Sequence, residues 1–214
     1  MRTFPAKSPF CTAVLIAGAV FCLISPAWAQ SKEAPGQVVN RFQSPDHAVT
    51  FQYSYPMILC RDGDKPGCRE DILNLCSADE DTVTVVACLL YAGKTYAGYN
   101  LRSAILSLGR LRSAKNAAAC FDLPGTKGSS EKINGILFAS SKGSEGAMGT
   151  LVDHKYYRAF YGGQCYMADL SIATSNYGAM DPATVKEFKP SDFDKMYGEL
   201  KQALNTLHVS AADK

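Results

Sequence analysis

Two short patterns in this sequence have the residue types and spacing for known chemistry, and each lacks a part that the chemistry requires. Ser129-Ser130-Glu131-Lys132 has the Ser-x-x-Lys spacing of penicillin-binding enzymes, in which a lysine activates a serine for acyl transfer. That reaction also needs a Ser-x-Asn element and a Lys-Thr-Gly strand, and the chain has neither. Asp62-x-Asp64-x-Pro66-Gly67 begins like a calcium-binding loop. Such a loop needs an oxygen ligand at position five and a bidentate glutamate at position twelve, where this chain has Pro66 and Leu73. A Gly-x-Ser-x-Gly elbow and a Walker loop are absent from the sequence. His47, His154 and His208 are far apart and in no metal-binding pattern, so they read as residues of strand ends or surface. The sequence therefore predicts no catalytic set, metal or cofactor.

One further constellation depends on strand pairing. Leu151–Tyr161 and Gln164–Thr174 are rich in β-branched and aromatic residues, and Gly162-Gly163 joins them. Two glycines tolerate the positive φ angles of a tight hairpin, which places Tyr161 opposite Gln164. Tyr157, Ala159, Tyr166, Ala168, Leu170 and Ile172 then share a core face. On the other face Tyr156 meets Asp169, with His154 and Arg158 as diagonal neighbours within reach of long side chains. A carboxylate between an arginine and a histidine, lined by tyrosine, is a candidate site for a small polar or anionic ligand, with Arg158 as the anion clamp. The competing role for His154, Tyr156, Arg158 and Asp169 is structural, as a cross-strand ion-pair network.

Eight cysteines are present, two of them within the first 29 residues. The other six, Cys60, Cys68, Cys76, Cys88, Cys120 and Cys165, are an even set of the kind that forms disulfides in an oxidising compartment. There is no Cys-x-x-Cys, which argues against thioredoxin chemistry and c-type haem attachment. The spacing also does not suit a zinc cluster. The expected pairing is Cys60–Cys88, Cys68–Cys76 and Cys120–Cys165, the second clipping a short helical stretch at 69–75.

The amino terminus gives the cysteines their compartment. Arg2 and Lys7 precede an apolar run from Phe10 to Ile24, Ser25-Pro26 breaks it, and Ala27-Trp28-Ala29 is a small-x-small cleavage pattern. This is the layout of a secretory signal peptide, cut before Gln30. The run is shorter than the roughly 20 residues of a membrane span, and no second hydrophobic segment follows. The 22 basic and 20 acidic side chains of the chain become 20 of each once Arg2 and Lys7 are removed. A near-neutral protein has no basic excess with which to displace counterions from phosphate, which sets nucleic-acid binding aside.

About 185 residues remain, enough for one domain with its own core. Residues 30–41 read as a mobile polar lead, and 42–210 as a single α+β domain. Val49, Phe51 and Tyr53 alternate with polar residues in a half-buried strand that ends at Tyr55-Pro56. Residues 61–67 form a loop by their glycines and proline. The apolar run 82–91 reads as a central strand. Residues 101–108 are a further strand, with a short helix through 113–120. Residues 133–139 read as a strand between two glycine-rich loops, GTKGSS and SKGSEG. After a turn at Asp181-Pro182, Ser191 caps a helix in which Phe193, Met196, Tyr197, Leu200, Leu204 and Leu207 recur at spacings of three and four. Antiparallel strands closed by a helix give an α+β layer structure.

The strand ending in Tyr55-Pro56, the cysteine-bearing strands, the YYRAFYGGQCYMADLSIATSN hairpin and the closing helix with its extended tail at 207–209 together resemble a family of exported bacterial proteins without an assigned function. Their layout is similar to the PsbP-type sandwich, an antiparallel sheet with helices packed on it. The resemblance covers about residues 42–210 and implies a binding or assembly factor, with no functional residues attached. The expectation is an exported, non-catalytic module in the periplasm or outside the cell that binds a protein partner or small ligand. The alternative is a small secreted hydrolase.

Overall fold

The computed structural model describes residues 38–60, 68, 76 and 82–210. The expected signal peptide, the rest of the lead, the loop at 61–67 and the helical stretch at 69–75 lie outside the described residues.

Two antiparallel sheets organise the chain. Strand β1 (Val39–Gln43) pairs with β2 (Val49–Ser54) in a small sheet that β10 (His208–Val209) completes from the carboxy-terminal end. The large sheet has the order β3-β4-β5-β9-β8-β7-β6. Its strands are β3 (Met57–Cys60), β4 (Val83–Tyr91), β5 (Leu101–Leu111), β6 (Thr126–Ile133), β7 (Ile136–Ala147), β8 (Thr150–Tyr161) and β9 (Gln164–Ser175). Helix α1 (Ala117–Cys120) is a single turn, and α2 (Pro190–Asn205) is the long closing helix. The architecture is sheet-dominated, so the expected antiparallel sheet is present while the expected covering of helices reduces to one long helix.

The period of two in the strands assigns the two faces of the large sheet. One face carries Ala87 and Leu89 of β4, Ala104, Leu106 and Leu108 of β5, Tyr157 and Ala159 of β8, and Ala168, Leu170 and Ile172 of β9. Met196, Leu200 and Leu204 of α2 pack on it, as do Phe42, Val49, Phe51 and Val209 of the small sheet. Helix α2 thus lies on β5, β9 and β2, and the ion pair of Lys201 with Glu131 ties it to β6. Pro190 occupies the first helical position, and the Lys189 N–H donates to the Asp192 carboxylate (3.0 Å). The cap is therefore Lys189 and not the expected Ser191, because proline needs no amide partner at that position.

The opposite face is covered at one end by Cys60, Cys68, Cys76 and Cys88, packed with Leu90 and Ile105. From Ala87 to Tyr91 strand β4 is consequently buried on both faces, which explains the apolar run there although the strand is second in the sheet and not at its centre. The disulfides are Cys60–Cys68, Cys76–Cys88 and Cys120–Cys165. Only the third matches the expected pairing. Cys60 and Cys88 do face each other across β3 and β4. Directly opposite side chains stand side by side on one face of an antiparallel pair, so each reaches up to the cysteine lying over it.

Three other corrections follow from the strands. The GTKGSS and SKGSEG segments are not loops but parts of β6 and β7, and the expected strand at 133–139 is two strands joined at Asn134-Gly135. Exposed on both faces from Thr126 to Ser130, that part of β6 has no reason to alternate in hydrophobicity. Strand β1 begins at Val39, inside the expected lead, because β2 supplies it with a full set of partners. Strand β5 runs on to Leu111, so only the last turn of the expected helix at 113–120 is helical.

Candidate functional site

The hairpin forms as its glycines dictate. Gly162 and Gly163 have φ of 57° and 78°, and Tyr161 pairs with Gln164. That register sets Tyr156 opposite Asp169, His154 opposite Ser171 and Arg158 opposite Met167. Neighbouring strands extend the rows, with Ser107 of β5 beside Asp169, and Ser141 and Gly143 of β7 beside Tyr156 and His154. The four predicted residues do converge on one face, but not as a carboxylate shared between Arg158 and His154.

His154 takes the carboxylate. Its Nδ1 lies 3.2 Å from both Asp169 oxygens and 3.1 Å from Ser171 Oγ. Its Nε2 lies 3.4 Å from the exposed Glu145 carboxylate without a hydrogen bond. Burial pulls the imidazole pKa down, but the Asp169 carboxylate, aided by Glu145, more than reverses this and leaves it above the ordinary 6.5. The His154 and Tyr156 rings stack with centroids 5.1 Å apart and planes 7° from parallel, and the Arg158 guanidinium carbon sits 6.0 Å from the Tyr156 ring. Gly143 makes room for this stack, since a Cβ there would meet the Tyr156 ring at 3.1 Å. Burial, then the Asp169 charge, pushes the Tyr156 phenol up to about 12. Arg158 Nη1 donates to the Tyr157 carbonyl (3.1 Å), and no described carboxylate forms an ion pair with it. Burial lowers the Arg158 pKa against the pull of Asp169.

Serine, histidine and aspartate in contact raise the question of a nucleophilic triad. A triad uses both ring nitrogens, one held by the carboxylate and the other receiving the serine proton. Here Asp169 and Ser171 converge on the same nitrogen. Nδ1 either carries a proton toward Asp169 or offers a lone pair to Ser171, and the raised pKa keeps the proton in place. Ser171 is also only 4% exposed, beside His154 at 9% and Arg158 at 8%, so no substrate carbonyl reaches it. Ser107 Oγ donates to the Cys76 carbonyl (3.2 Å), which places the disulfide-fastened chain over the adjoining row.

Ser171 was legible in the hairpin register, which pairs it with His154, but the aromatic and charged residues drew the reading away from it. Glu145 was not, because its strand read as a loop. Of the three histidines, His47 and His208 are exposed, at the β1–β2 turn and in β10, whereas His154 is buried in mid-strand. Ser129 and Lys132 are exposed on β6. A strand does not bring residues three apart together as a helical turn does. The three cavities described, of about 450, 280 and 500 Å³, are lined by residues other than the four predicted ones.

The structure defines an antiparallel, disulfide-bearing α+β sheet protein, and three bridges are the covalent habit of an oxidising compartment. No helix among the described residues is long and apolar enough to cross a membrane. The chain matches no protein-family model and no curated protein. Several solved structures are similar to it, these three among them. Cyanobacterial PsbP (CyanoP) from Synechocystis sp. PCC 6803 is 11% identical, covering 80% of this chain and 92% of that one, with a TM-score of 0.41. LpqN of Mycobacterium tuberculosis, a protein involved in cell envelope biogenesis, is 9% identical over 82% of this chain and 92% of its own, with a TM-score of 0.42. A protein of Bacteroides thetaiotaomicron VPI-5482 is 12% identical over 79% of this chain, with a TM-score of 0.43, and this chain spans about half of it (48%). A PsbP structure thus stands among these likenesses. None of the three supplies a residue role.

Proposed function

We propose that the protein is an exported, non-catalytic module of the cell envelope that binds a protein partner or a small ligand. The observation that carries this reading is the convergence of Ser171 and Asp169 on one nitrogen of His154, which holds the ring as a clasp and denies Ser171 a base. The buried hairpin face then works as internal polar stitching, with Arg158 lodged against Tyr156 and the Tyr157 carbonyl. Export is supported by the three disulfides and by the signal-peptide pattern of the first 29 residues.

The test pairs two measurements on the oxidised protein. A serine-directed fluorophosphonate probe should leave it unlabelled, and affinity capture from envelope extract should retain the same partners with Arg158→Ala as with wild type. Labelling that disappears in Ser171→Ala would restore the hydrolase reading. Loss of a specific partner or ligand in a folded Arg158→Ala protein would make the hairpin face the binding site.

A further inference from the structure

A second cluster of charge lies away from the hairpin face, where the ends of β4, β5 and β9 meet the β8–β9 turn. A cavity of about 280 Å³ opens there, lined among others by Thr84, Arg110, Arg112, Lys115, Gly163 and Gln164. Three cationic side chains border it, and none of its lining residues is acidic. Arg112 and Lys115 are exposed at its rim, while Arg110 is largely enclosed.

Arg110 is held in place before any ligand arrives. Its Nη1 pairs with Asp46 of the β1–β2 turn, and its guanidinium carbon lies 5.7 Å from the Tyr166 ring centroid. Its Nε and Nη2 are buried and have no hydrogen-bond partner. The Tyr166 hydroxyl is near enough to favour the guanidinium charge, but it donates to Gln164 Oε1 (3.3 Å) and meets neither nitrogen as acceptor. Those two nitrogens are closed off from solvent, so what Arg110 offers an anion in the cavity is its charge, which adds to that of the two rim cations. The Gln164 side chain, its oxygen engaged, has its amide nitrogen left to donate. The connection bearing Arg112 and Lys115 is pinned to β9 by the Cys120–Cys165 bridge, and Cys165 itself lines the cavity.

We infer that this cavity binds a small dianionic oxyanion of the phosphate class, held by Arg112 and Lys115 at the rim with Arg110 as a fixed charge behind them. Asp46 offsets one of the three positive charges, so two remain for the ligand. The volume falls just below the roughly 300–1,000 Å³ of pockets that enclose drug-sized molecules, which suits a phosphate group rather than a large organic ligand. The inference rests on the reading of the protein as a binding module and names a ligand class for it.

The probe is inorganic phosphate, titrated into the isotopically labelled, oxidised protein and followed by backbone amide shifts. Arg110→Gln would also free Asp46 and confuse folding with binding, so the decisive variant is Arg112→Gln/Lys115→Gln, at exposed positions. Saturable shifts centred on residues 110–115 and 163–165, weakened about tenfold in the double variant, are expected. Anionic vesicles form a second arm. Vesicle binding that competes with phosphate and fails in the double variant supports the site with a lipid headgroup as source, and phosphate binding alone supports it with a soluble ligand. Absence of saturable shifts, equal shifts with chloride at matched ionic strength, or vesicle binding without phosphate binding overturns it. So does a double variant that binds like wild type. None of these outcomes touches the fluorophosphonate result, so the site can fail while the non-catalytic reading stands.

Discussion

Removing the Cys120–Cys165 bridge should cost the protein more than removing either of the others. The chain-entropy model ties stabilisation to the length of chain a bridge closes. The sequence separation of 45 for this bridge gives about 4 kcal/mol. The separations of 8 and 12 for Cys60–Cys68 and Cys76–Cys88 give about 2.5 and about 2.8 kcal/mol. Both Cys120 and Cys165 are fully buried with Ala114, so Cys120→Ala/Cys165→Ala also loses sulfur packing, which adds to the cost. With a urea slope of about 2 kcal/mol per molar, the transition midpoint should fall by about 2 M. Equilibrium urea unfolding followed by circular dichroism measures this, with Cys60→Ala/Cys68→Ala as the comparison. A midpoint shift below about 0.5 M, or one no larger than that of the short-loop variant, would refute the reasoning. The bridge would then not be what holds residues 112–120 against β9.

Three further outcomes follow. Leu200→Ala, which empties the centre of the α2 seat on the large sheet, should destabilise by about 2–5 kcal/mol in the same assay. Gly125 has a φ of +76°, and a Cβ there would come within 2.1 Å of the Lys142 carbonyl oxygen. Gly125→Ala should therefore cost about 1–3 kcal/mol and loosen β6, read by faster amide exchange along that strand. His154, with its folded pKa above 6.5, contributes stability that is complete below pH 6.5 and is lost as pH rises through the folded value. Wild type should lose stability over that interval, and His154→Gln should not.

Most of what fixes the fold was legible where a single pattern decides it. The Gly162-Gly163 turn set the hairpin register, and the apolar spacing from Phe193 to Leu204 set the helix face, while Leu207 lies beyond the helix end at Asn205. The register was enough to bring His154, Tyr156, Arg158 and Asp169 together. What it could not supply was the rest of their surroundings. Strand β7 carries Ser141, Gly143 and Glu145 to this face, but its polar, glycine-rich stretch does not read as a strand, because a strand near a sheet edge with solvent on much of its surface need not alternate. The disulfide pairing was misread for a related reason. Facing positions on β3 and β4 make Cys60 and Cys88 neighbours, yet a bridge depends on where the side chains point, and theirs point to the chain above. The basic cavity was invisible for a third reason, since Asp46, Arg110 and Gln164 come from distant segments and only the tertiary fold joins them.

Whether His154 can activate Ser171, the point on which the non-catalytic reading rests, is tested most directly by the nitrogen-15 shifts of its imidazole across a pH titration. The clasp predicts a ring that stays charged to higher pH than a free imidazole, with the proton on Nδ1 retained toward Asp169 when the ring finally loses its charge. A neutral ring with Nδ1 bare would contradict it, for that nitrogen would then be free to take the proton of Ser171.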